Sequence, residues 1–72
     1  MTFWEFINKY YDCYIVVDTE TQRLGRLSFS MPVKFVAFWM RREYGNCVVD
    51  FKQIRNVNNY KAFEVTIRDE DK

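Results

Sequence analysis

Apolar residues along this chain recur with two different periods, and each switch of period marks a boundary between elements. Phe3, Trp4, Phe6, Ile7, Tyr10 and Tyr11 fall on one side of a helical wheel, with Glu5, Asn8, Lys9 and Asp12 on the other. Thr2-Phe3-Trp4-Glu5 ahead of them has the form of a capping box. The pattern predicts an amphipathic helix over residues 3–11. Cys13-Tyr14-Ile15-Val16-Val17 then runs apolar and β-branched without a break, as a strand covered on both faces does. Residues 18–23 are polar and read as a turn. Residues 24–30 alternate, with Gly25, Leu27 and Phe29 on one side and Arg26, Ser28 and Ser30 on the other, so the two strands form a hairpin.

A second unit repeats the order. Ser30-Met31-Pro32 is a helix start and Gly45-Asn46 a helix stop, which predicts a helix over residues 32–44. Val33, Phe35, Val36, Trp39 and Met40 share its apolar face, with Trp39 at the centre. Residues 47–55 read as a strand and Val57-Asn58-Asn59-Tyr60 as a hairpin turn, because Asn tolerates left-handed backbone. Residues 61–68 alternate, with Phe63, Val65 and Ile67 inward and Glu64, Thr66 and Arg68 outward. Phe3 and Phe35, Phe6 and Phe38, and Val16-Val17-Asp18 and Val48-Val49-Asp50 match at an offset of 32 residues. This faint echo supports an α-β-β duplication.

Neither a helix nor a hairpin buries its apolar face alone. The expected fold is therefore α+β: two α-β-β units forming a four-stranded antiparallel sheet with two helices packed on one face. The order 2-1-3-4 centres the most apolar strand, and 3-4-2-1 is the alternative. All 72 residues make one domain, with a charged tail at 69–72 expected to fray.

Composition sharpens this picture at one point. The 7 Phe, 5 Tyr and 2 Trp exceed what a two-layer interior of this size holds, so some rings must lie at the surface, where aromatic residues anchor interfaces. Charge is uneven. Residues 1–20 sum to −3 (one Lys, four Asp and Glu), 21–68 to +6 (nine Lys and Arg, three Asp and Glu) and 69–72 to −2, which together give the net +1.

Catalytic chemistry finds little here. There is no histidine to activate Cys13 or Cys47, and no CxxC spacing for zinc. Both cysteines are expected to be reduced, unreactive core residues, in a cytoplasmic protein without a membrane segment. Asp18 and Glu20 share a polar turn with nothing apolar to raise a pKa, and the two glycines are too isolated to cradle phosphate. The chain is expected to be no enzyme and to carry no cofactor.

Two surfaces remain. On helix 2, Lys34, Phe38, Arg41 and Arg42 form a stripe opposite the apolar face, in which Phe38 lies one turn from Lys34 and from Arg42. A ring among cations suits a groove or acidic patch on a protein partner. On the outer face of the sheet, Arg26, Lys52 and Arg68 with Tyr14 could grip single-stranded nucleic acid, although Asp50 and Glu64 share that face. The preferred reading is a non-catalytic protein-binding module, an adaptor or inhibitor of a larger protein. Nucleic-acid binding and self-association into a homodimer are the alternatives.

Overall fold

The computed structural model describes residues 1–21 and 25–68. The residue 22–24 part of the predicted turn and the predicted fraying of 69–72 lie outside the described residues. The elements are α1 (Phe3–Lys9), β1 (Tyr14–Thr21), β2 (Gly25–Pro32), a 3-10 turn (Val33–Phe35), α2 (Phe38–Tyr44), β3 (Val49–Val57) and β4 (Tyr60–Ile67). One four-stranded sheet carries both helices on one face, an α+β fold of two α-β-β units.

The sheet is mixed, in the order β2-β1-β4-β3, and this corrects both the purely antiparallel expectation and the two orders proposed with it. β1 and β2 pair antiparallel, as do β3 and β4, while β1 and β4 run parallel at the centre. Strand directions are the same as in the order 2-1-3-4; exchanging β3 and β4 turns the central pair parallel. The reason is burial. β4 contributes Ala62, Phe63, Val65 and Ile67 to the interior, whereas β3 carries Asp50, Lys52, Gln53, Arg55 and Asn56. The more apolar strand of each hairpin takes the middle.

The capping box forms as expected: the Thr2 N–H donates to Glu5 Oε1 at 2.8 Å and the Glu5 N–H donates to Thr2 Oγ1 at 3.2 Å. Two further first-turn donors reach the loop after α2, where Phe3 N–H donates to Cys47 O and Trp4 N–H to Gly45 O. Gly45 ends α2 with right-handed backbone, so its small size matters here and not its freedom. A Cβ there would overlap Arg41 O and lie 2.6 Å from Trp4 Cδ1. Asn58 and Asn59 form the β3–β4 turn with φ of 50° and 69°, the left-handed pair that a two-residue hairpin requires.

β1 runs on through residues read as turn. Thr19 is buried and its Oγ1 accepts the Ile67 N–H at 2.9 Å, beyond the last β1–β4 register pair at Val17 and Val65. The hydroxyl continues the central ladder where the two strands diverge. Thr19→Val should leave that N–H unsatisfied and cost about 1–3 kcal/mol. Urea melts of the valine and serine variants check this, with serine expected to retain most of the stability.

The second helix departs most from expectation. In place of one helix over 32–44, the 3-10 turn is followed by extended backbone at Val36 (ψ 127°) and Ala37 (ψ 145°) before α2 begins. The Arg41 side chain holds this break, its Nε donating to Val36 O at 3.1 Å and a terminal nitrogen to Lys34 O at 3.4 Å. Val33, Val36, Met40 and Tyr44 are buried, while Phe35 and Trp39, expected in the core, are exposed. The apolar face of this segment is therefore centred away from Trp39.

Candidate functional site: the aromatic face of α2

Three large rings lie open within five residues: Phe35 at 65% exposure, Phe38 at 66% and Trp39 at 62%. Phe38 was expected there; Phe35 and Trp39 were not. Their exposure follows from which residues the segment buries: with Val33, Val36, Met40 and Tyr44 turned to the core, Phe35, Phe38 and Trp39 lie outward. Phe38, Trp39, Arg42 and Glu43 line a shallow hollow. The Arg42 guanidinium carbon lies 6.0 Å from the Phe38 ring centre, a cation–π separation that holds ring and charge side by side. Trp39 stands 6.5 Å from the ring of buried Tyr44, which supports it from below.

Of the expected stripe, Lys34, Phe38 and Arg42 are exposed. Phe38 and Arg42 share the hollow, while the extended backbone at Val36 and Ala37 removes the one-turn spacing expected between Lys34 and Phe38. Arg41 is half-buried instead, committed to the carbonyls of the break and 5.9 Å from the Tyr11 ring. It shapes the surface and presents little charge to it. Phe35 and Trp39 are the residues that sequence reasoning missed, and Tyr44 held the signal for both. With Tyr44 included at roughly 100° per residue, Val33, Val36, Met40 and Tyr44 fit within about 80°, an arc that excludes Trp39.

The outer face of the sheet does carry Tyr14, Arg26, Lys52 and Arg68, as expected. Each cation has a carboxylate neighbour: Arg26 with Asp18 at 3.3 Å, Lys52 with Glu64 at 3.5 Å and Arg68 with Asp50 at 3.7 Å. Adding Glu20, these seven charges sum to 3 − 4 = −1. Tyr14 is buried between its strand neighbours with the Tyr60 ring 5.9 Å away, so its face is not presented for stacking. Exposed pairs of this kind contribute roughly 0–1 kcal/mol each to stability.

Cys13 is half-buried and Cys47 buried, and no disulfide joins them. Burial pushes the Cys13 thiol above its ordinary range, with Lys61 opposing and Asp12 adding to the shift. A thiol held neutral is a poor nucleophile. Among the described residues no group of three or more His, Cys, Asp or Glu is placed to hold a metal ion, and no helix is long and apolar enough to cross a membrane. No protein-family model, curated protein or solved structure shows significant similarity to the chain.

Proposed function

We propose that this chain is a non-catalytic protein-binding module, an adaptor or inhibitor that docks the aromatic face of α2 into an apolar, carboxylate-edged groove on a larger protein. One observation carries the reading: Phe35, Phe38 and Trp39 are each more than three-fifths exposed on one short segment. Scattered exposed apolar residues are ordinary, but clustered rings with a cationic margin are the composition of an interface centre. Lys34 and Arg42 supply that margin and select an acidic rim on the partner. The outer sheet face lends less support to phosphate binding, given its balanced ion pairs. Burial holds the Cys13 thiol neutral, which favours binding over nucleophilic chemistry.

The test compares partners retained by the immobilised parent protein with those retained by Phe38→Ala and Trp39→Ala. Each substitution should weaken the partner's affinity by about 2 kcal/mol or more, roughly thirtyfold, while folding stability stays within about 0.5 kcal/mol. Lys34→Glu with Arg42→Glu should slow association and reduce its dependence on salt. Partners held equally well by both alanine variants would remove α2 as the docking surface.

A further inference from the structure

The sheet has two edges, β2 and β3, and an edge strand offers its outward N–H and C=O groups to any strand that can pair with it. The two edges are built differently. On β3 the Val49 N–H already donates to Met1 O at 2.9 Å, the register slips between Ile54 and Val57, and Asp50, Lys52 and Arg55 spread charge along the strand. These features blunt an edge. On β2 the ladder to β1 is regular from Gly25 to Pro32, and Arg26 is the only charge.

The ladder also fixes which β2 groups face outward. The Val33 N–H donates to Cys13 O at 2.8 Å, which makes Cys13 and Val33 a hydrogen-bonded pair. Counting back in twos, Met31, Phe29 and Leu27 are bonded to Ile15, Val17 and Thr19. The backbone groups of Arg26, Ser28 and Ser30 therefore point out of the sheet. Pro32 closes that row, since it has no N–H to offer.

We propose that β2 pairs antiparallel with β2 of a second copy of this chain, about a twofold axis through Phe29, joining two sheets into one. This goes beyond the α2 reading and is independent of it. The register is chosen by the residues themselves. It sets Ser28 opposite Ser30, so that each such pair exchanges both backbone bonds. It sets Leu27 opposite Met31 and Phe29 opposite Phe29, so that an apolar row only half-buried in the single chain meets its own counterpart. It sets Arg26, already paired with Asp18, opposite neutral Pro32, so that no like charges face each other. A slip of two residues one way would place Met31 opposite Gly25 and break the apolar row. The other way would set Pro32, which has no N–H, against Ser28 and lose backbone bonds, and a slip of one would turn the row to the other face. A second copy thus matches this edge in backbone, side chain and charge at one register, the self-complementarity that a twofold interface requires.

Light scattering and sedimentation over a micromolar-to-millimolar series should give twice the chain mass. Phe29→Cys places the substituted positions directly opposite at a non-hydrogen-bonded pair, where Cα atoms lie about 4.5 Å apart, inside the range of roughly 4.4–6.8 Å that a disulfide spans. Mild oxidation should yield a covalent dimer linked through those positions by peptide mapping. Ser28→Cys, whose counterpart is two residues away, should not link to itself. Ser30→Pro removes an outward N–H and should weaken the dimer at least tenfold with its circular dichroism unchanged. A single-chain mass throughout the series would overturn the proposal, as would a doubled mass without the link at position 29. If the proline variant does not fold, the cross-link alone decides.

Discussion

Replacing Phe6 with alanine should bring the protein close to complete unfolding. Phe6 is fully buried, and its ring lies 5.0 Å from Tyr10, 5.2 Å from Phe51 and 5.8 Å from Phe63. Tyr10 and Phe63 are themselves 4.5 Å apart, so four rings form one cluster beneath α1 on β3 and β4. Removing the central ring loses its transfer energy and leaves a cavity that rigid aromatic neighbours fill poorly. The expected cost is about 3–5 kcal/mol. A chain of this length has a total stability of roughly 4–10 kcal/mol. Urea melts followed by circular dichroism measure the loss. A loss below about 1 kcal/mol would show that the ring cluster does not hold α1 to the sheet.

The second large effect belongs to Met40. It is buried under α2, while adjacent Trp39 is mostly exposed. Met40→Ala should cost about 2–5 kcal/mol, and Trp39→Ala no more than about 0.5 kcal/mol despite deleting the larger side chain. Judged by size and hydrophobicity alone, the order would be reversed. Paired melts of the two variants therefore test the phase of α2 directly. Equal losses would mean that Trp39 packs inward after all.

Local rules were legible in the sequence wherever a residue's neighbours along the chain decide its state. The capping box at Thr2 and Glu5, the Asn58-Asn59 turn and the alternation of Phe63, Val65 and Ile67 all depend on contacts within a few residues. The position of Phe38 was legible only in part: it faces outward on the phase read from the sequence, but a shift of about 40° would have carried it to the edge of the core. Misreadings arose where tertiary packing chose between locally equivalent states. Val33, Val36, Met40 and Tyr44 are the residues that pack inward, which turns Trp39 out. The β-branched pair Val33 and Val36 flanks the point where the helix gives way to a 3-10 turn and extended backbone. The echo between the two units separates these cases. Val17 and Val49 both point inward, but buried Phe3 and Phe6 correspond to exposed Phe35 and Phe38. The matched strand residues keep the same inward and outward directions, although β1 is central and β3 an edge, and the matched helix residues do not. Strand order was within reach: centring the more apolar member of each hairpin places β4 beside β1. The ion pairs on the outer face were not, because which carboxylate lies beside which cation depends on that order.

The parallel pairing of β1 with β4 has a consequence for how the chain reaches this state. Each hairpin closes over a short turn, but Thr19 and Ile67, joined at the centre, are 48 residues apart. Loop closure over that distance costs entropy before any central contact repays it. The two hairpins are therefore expected to zip early and independently, with their meeting, as β4 docks along β1, expected as the slow step. Until then Ile15, Val17, Val65 and Ile67 lack their neighbours across the central pair, and the half-formed sheet has four open edges in place of two. The folding rate should be set by residues along that seam, and the hairpin turns should influence it little.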